Sequence, residues 1–180
     1  MRITETPIDG LLIFSPSVIK DNRGYFFENF RSTWLEDRGI NARFVQENES
    51  KSDKHVLRGL HLQAPPYAQA KLLRVVRGSI YDVAVDLRKN SSTFGQYFGI
   101  ELNEENKTML YLPEGFGHGF CCLEDQSIVQ YKCSNYYNKA SEIGVAWNDP
   151  EIQIEWPTKS PLISEKDEVL TNLSDFISPF

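Results

Sequence analysis

Along this chain apolar and polar residues alternate in short runs instead of recurring every three or four positions. In "SIYDVAVDLR" (79–88), Tyr81, Val83, Val85 and Leu87 share one face, while Asp82, Asp86 and Arg88 fall on the other. "IVQYKCS" (128–134) alternates likewise, with Val129, Tyr131 and Cys133 together, and "GQYFGIEL", "EIQIEW" and "HVLRGLHLQ" (55–63) read as further strands. A period of two marks a half-buried β-strand. Turn-forming clusters punctuate the runs: "DNRG" (21–24), "APPY" (64–67), "RKNSSTFG" (88–95), "NEEN" (103–106), "PEGFG" (113–117) and "NDP" (148–150). Many short strands at such spacing predict an all-β sandwich or barrel. Helix is scarce. "STWLEDRG" (32–39) offers Ser32 as N-cap and Gly39 as a stop, for about two turns. "SEKDEVL" (164–170) starts another short helix at Ser164.

Composition narrows the class without changing that picture. With 180 residues, 41% hydrophobic and 24% charged, the chain suits one folded domain over 1–180. A net charge of −6 argues against a nucleic-acid or membrane-surface binder, which needs a basic field. An anionic ligand would have to be held by a few local Arg and Lys residues. No apolar run approaches the roughly 20 residues of a bilayer span. The opening "MRITETPIDGLLIF" carries Glu5 and Asp9, unlike a signal peptide. Cys121, Cys122 and Cys133 have no CxxC spacing and read as small buried hydrophobes in a reducing compartment. A cytoplasmic protein is expected.

The candidate chemistry begins with what is missing. "PEGFGHGF", with Pro113, Gly115 and His118, matches the second half of a cupin metal site. The first half, an H-x-H pair with a nearby Glu, is replaced by "HLQ", His61 and Gln63. Two histidines fall short of the usual three protein ligands, so neither metal nor organic cofactor is expected. The work then falls to side chains, with His61, Tyr131, Lys71, His118 and Asp167 on offer: a neutral histidine held by a carboxylate suits a general base, a tyrosine an acid on the opposite face of a substrate, and a lysine a cation where an enolate develops. Each also has an ordinary structural reading. His61 and His118 could be structural hydrogen-bonders, Tyr131 core, Lys71 a solvated edge guard and Asp167 the close of a capping box with Ser164. Arg58 and His61 are an odd number of residues apart, and share a site only if Gly59 permits a bulge or a ligand wraps the strand.

In order, "DNRGYFFENF", "FVQENES", "VLRGLHLQ", "QAKLLRVVRGSIYDVAVDLRKNSSTFGQY", "LPEGFGHGF", "VQYKCSNYY", "EIGVAWNDPEIQIEWP" and "LISEKD" resemble the dTDP-4-dehydrorhamnose 3,5-epimerase family, from about residue 3 to 170. The resemblance implies a metal-free, cupin-like jelly roll with two or three short helices, and a homodimer. It implies inversion at C3 and C5 of a dTDP-linked 4-keto-6-deoxyhexose. His61 matches the base, Asp167 the carboxylate holding its imidazole, Tyr131 the acid and Lys71 the enolate stabiliser, with His118 near the sugar. Arg23, Glu28, Gln46, Asn48, Arg58, Glu142 and Lys166 match the ligand-binding set, together with Lys71 and His118. Where the family has an aromatic after the histidine this chain has Leu62, which strand alternation points away from His61. A relative acting at C3 alone or C5 alone would use the same base and enolate. A cupin-fold binding module would need no opposed base and acid, and a metal-dependent cupin oxygenase or isomerase would need the absent H-x-H pair.

Overall fold

The computed structural model describes residues 1–180. Its strands are β1 (Arg2–Glu5), β2 (Leu12–Ser15), β3 (Ile19–Asp21), β4 (Gly24–Phe26), β5 (Gln46–Ser52), β6 (Leu57–Gln63) and β7 (Lys71–Arg77). They continue with β8 (Ser79–Asp86), β9 (Tyr97–Asn103), β10 (Met109–Leu112), β11 (Phe116–Cys122), β12 (Ser127–Cys133) and β13 (Glu142–Gly144). The two α-helices, α1 (Thr33–Glu36) and α2 (Glu165–Glu168), are one turn each. No helix is long and apolar enough to cross a membrane.

A six-stranded sheet runs β1-β2-β10-β7-β12-β5 and a five-stranded sheet runs β13-β6-β11-β8-β9. From β5 to β8 and again from β9 to β13, each strand lies in the other sheet from its predecessor. That crossing pattern, with antiparallel neighbours throughout, makes the sandwich a cupin-like jelly roll. Leu73, Val75, Leu110, Leu112 and Val129 of the first sheet meet Ile80, Ala84, Leu102, Phe116, Phe120 and Cys122 of the second in the central core.

Each sheet is also covered on its outer face, which alters how the alternation reads. Val83, Val85 and Leu87 pack outward, under Ile152, Leu173 and Trp156 of the C-terminal segment. The other face of β8, carrying Asp82, turns into the sandwich, and Asp82 and Asp86 are both 0% exposed. The half-buried reading of β8 is therefore corrected: its apolar face meets a covering segment, and its polar positions are buried by specific partners. Asp86 accepts from Arg88, Ser91 and Thr93, which hold its carboxyl down at about 2 against the upward push of burial. "EIQIEW" is likewise no strand. Ile152, Ile154 and Trp156 do pack inward on alternate residues, but Gln153 sits at φ +54 and the backbone closes turns on itself instead of joining a ladder. On the far side, α1 and residues 30–44 cover the six-stranded sheet through Leu35, Phe30, Trp34 and Phe44. Gly39, at φ +72, ends the turn after α1, whereas Ser32 makes no side-chain cap bond.

Candidate active site

The floor of the largest cavity, about 790 Å³, is β6, a volume within the range of small-molecule sites. Between β6 and β11, His61 pairs with His118 and Arg58 with Phe120, so three steps on β6 oppose two on β11. The extra residue is a bulge at Gly59, and it cancels the odd spacing: Arg58 and His61 line the same cavity. Only glycine fits there. Its φ is +131, and a Cβ would lie 2.5 Å from the Gly119 Cα and 2.8 Å from the His118 carbonyl oxygen. Leu62 points the other way, into the outer cluster.

Residues 162–167 close one side. Leu57 N–H donates to the Leu162 carbonyl at 2.9 Å, laying this segment along β6 and setting α2 beside the bulge. Ser164 caps α2 by accepting from the Asp167 N–H at 3.3 Å. The Asp167 carboxylate does not close a capping box. It meets His61 Nε2 at 2.7 Å and accepts the Gly59 N–H at 3.3 Å. Burial raises the Asp167 carboxyl, but His61, Gly59 and Ser164 outweigh it and hold the group below the usual aspartate value. A carboxylate that is 3% exposed thus stays charged behind the imidazole, and it engages Nε2 of His61, not Nδ1.

The opposite wall comes from the six-stranded sheet. Tyr131 and Cys133 of β12 stand across from Leu73 and Lys71 of β7, and from Asn48 and Gln46 of β5. Because β7 lies between β10 and β12, Lys71 is not an edge guard; it projects into the cavity. Burial pushes the Lys71 ammonium down. Burial pushes the Tyr131 phenol up, with Asn48 beside it pulling the other way, so the hydroxyl is kept protonated. Gln46 and Asn48 stand just behind the lining: Asn48 meets Cys133 Sγ at 3.8 Å, and Gln46 accepts the Tyr137 N–H at 3.0 Å. All three cysteines are buried and unpaired, as expected of small hydrophobes.

The mouth is polar. Glu142 takes Lys166 Nζ at 2.5 Å on one oxygen and the Tyr137 hydroxyl at 2.8 Å on the other. Arg58 Nε donates to Ser52 Oγ at 3.1 Å. His118 Nε2 meets Asp82 Oδ2 at 2.9 Å, so both histidines have committed Nε2 to a carboxylate. Sequence reasoning missed Tyr137, Ser52 and Asp82. The doubled aromatic in "SNYYN" was the available signal for the first; the second shares the face of Asn48 along β5, and the third was taken for the solvent face of β8.

Two expected residues lie elsewhere. Arg23, at the tip of the β3–β4 hairpin, pairs with Asp21, and Glu28 pairs with Arg31; neither lines this cavity. The hairpin exposes Ile19, Tyr25 and Phe26 at 65%, 57% and 70%. What the cavity brings together is a carboxylate-held imidazole on one sheet, a protonated phenol on the other and an ammonium beside it. An acid and a base so opposed have the chemistry to take a proton from one face of a bound molecule and give one to the other.

A sequence model of the dTDP-4-dehydrorhamnose 3,5-epimerases matches residues 5–175. The protein of that name from Shigella flexneri is 51% identical over 168 residues, 93% of each chain. The crystal structure of the Elizabethkingia anophelis NUHP1 dTDP-4-dehydrorhamnose 3,5-epimerase matches with a TM-score of 0.93 and 46% identity, covering 97% of each chain. That of the Bacillus anthracis str. Ames enzyme, with TDP and PPi bound, matches at 0.92 and 44%, covering 96% of this chain and 99% of its own. Sequence and fold agree over nearly the whole length, and the chain belongs to the dTDP-4-dehydrorhamnose 3,5-epimerase family, a family of isomerases.

Proposed function

We propose that the protein inverts C3 and C5 of dTDP-4-keto-6-deoxy-D-glucose, giving dTDP-4-keto-L-rhamnose. The observation that carries this is the opposition of His61 and Tyr131 on facing sheets of one cavity. Binding alone needs no such pair. His61 takes the proton from a carbon next to the C4 ketone; the C–H electron pair moves into the ring and the carbonyl oxygen becomes an enolate oxyanion, faced by Lys71 and His118. Tyr131 gives its proton to the other face of the same carbon. The imidazolium then loses a proton to solvent and the phenolate regains one, and the cycle repeats at the second carbon. The direct test is proton NMR of the sugar in heavy water with wild-type protein. Deuterium entering at both C3 and C5 during conversion is expected. Entry at one alone makes this a single-centre epimerase, and entry at neither overturns the reading.

The nucleotide diphosphate falls to Arg58 and Lys166 at the mouth, where fork-like guanidinium contacts suit phosphate in a chain of net charge −6. Tyr137 offers an aromatic face for the base. Arg23 and Glu28 reach a site only from a second copy, and the apolar hairpin that carries Arg23 is the surface for such a homodimer. Arg58→Ala and Arg23→Ala should each weaken dTDP binding by about ten- to a hundredfold, the loss typical of one charge-assisted contact. Calorimetry showing unchanged dTDP affinity in both variants would mean that the nucleotide lies elsewhere.

A further inference from the structure

Asp82 is fully buried on the inward face of β8, and the catalytic roles above do not use it. One carboxylate oxygen, Oδ2, holds His118 Nε2 at 2.9 Å. The other, Oδ1, is buried with no hydrogen-bond partner. A carboxylate stripped of water and half-satisfied is costly to maintain unless a charge answers it. Lys71, projecting from the facing sheet, is the candidate: it feels the field of Asp82 and belongs to none of the ion pairs of the site. The other groups around Lys71 do not supply a free negative charge. Cys133, directly across from it, is kept a thiol by burial. Glu142 is engaged by Lys166 and Tyr137, and Asp167 by His61. Lys166 itself disfavours a second ammonium nearby. Tyr131 is kept neutral by burial.

We propose, resting on the epimerase reading, that Asp82 is a positioning residue behind the enolate-stabilising pair, one oxygen fixing the His118 ring and the other drawing the Lys71 ammonium toward the same point. His61 and His118 are cross-strand partners, so the two carboxylate-held imidazoles stand side by side with distinct duties. Asp167 serves the base, and Asp82 serves the oxyanion. The sign of the effect follows. Asp82 favours the charged form of Lys71, so its loss lets Lys71 deprotonate at lower pH, and enolate formation fails from the alkaline side.

The test is Asp82→Asn, which keeps shape and removes charge. Lysine-labelled protein, with the Lys71 signal assigned by its loss in Lys71→Met, is titrated by NMR, and deuterium exchange into the substrate is measured against pH. The Lys71 titration should move to lower pH, and exchange at neutral pH should fall about ten- to a hundredfold with its alkaline limb displaced the same way. dTDP affinity should be unchanged. A Lys71 titration and an exchange profile that superimpose on wild type overturn the assignment. A wild type that exchanges nothing overturns the epimerase reading instead, and the Lys71 titration still decides the role of Asp82. Should Asp82→Asn fail to fold, nitrogen NMR of the wild-type His118 ring decides: a ring with no proton on Nε2 cannot donate to Asp82 and overturns the proposal.

Discussion

His61→Asn is expected to abolish both inversion and deuterium exchange at the sugar, leaving dTDP binding in place. The expectation follows from what the substitution keeps and what it takes. The Asn amide fills only the inner half of the imidazole's space and stops short of the Nε2 position that meets Asp167 at 2.7 Å, but β6 keeps its other ties to this segment, the Leu57 N–H to the Leu162 carbonyl and the Gly59 N–H to the Asp167 carboxylate. What disappears is a ring nitrogen able to accept a proton. General-base catalysis is typically worth about 10²–10⁴-fold, and the cavity's other imidazole, His118, is buried beside Asp82 and assigned to the oxyanion. Asp167 points at His61, Glu142 at Lys166 and Tyr137, and Lys71 is wanted as a cation. Asp167→Asn should give the same phenotype in milder form, because the imidazole survives but its working tautomer is no longer favoured. Proton NMR in heavy water, with C3 and C5 followed separately, reads both variants. Exchange in His61→Asn at the wild-type rate would show that the histidine is not the base.

How much of this was legible in the sequence depends on whether a residue's surroundings are local. The period-two runs were enough for an all-β sandwich, because side-chain alternation is a property of a single strand. Which face points inward is not. β8 presents Val83 and Val85 outward only because residues 152–176 return to cover them, and nothing within 79–88 records that. The alternation of "EIQIEW" reflects the same covering, without a partner strand for its backbone. His61, Lys71, Tyr131 and Asp167 were readable as chemistry by residue type and motif, and the structure collects all four around one cavity. Their company with Arg58 depended on Gly59, which could be read as permission for a bulge but not as its direction. Asp82 escaped notice because a charged residue in a strand reads as solvent-facing until its partner, 36 positions away, is placed beside it. Arg23 and Glu28 have the opposite problem: their motif was clear, but a single chain does not carry them to the cavity.

Tyr131→Phe separates the two halves of the reaction that His61→Asn removes together. The ring keeps its packing against the central core, where Tyr131 adjoins Val129 and Leu73, so folding and the cavity wall are preserved. Only the hydroxyl is lost. Burial holds that phenol above its ordinary value, against the pull of Asn48 and Arg58, which suits a group that must be protonated when the enolate forms. Without it, His61 still removes the substrate's proton, trades it with solvent and returns deuterium to the same face. Exchange therefore continues with retention of configuration. Completed inversion should fall by the ~10²–10⁴-fold typical of a lost general acid, so the ratio of exchange to inversion rises by the same factor. The measurement is again proton NMR in heavy water, with product configuration read from the ring couplings. Inversion at the wild-type rate would mean that another donor serves the second face. Loss of exchange as complete as in His61→Asn would mean that the hydroxyl is needed to form the enolate, and that Tyr131 acts on the carbonyl oxygen instead of on carbon.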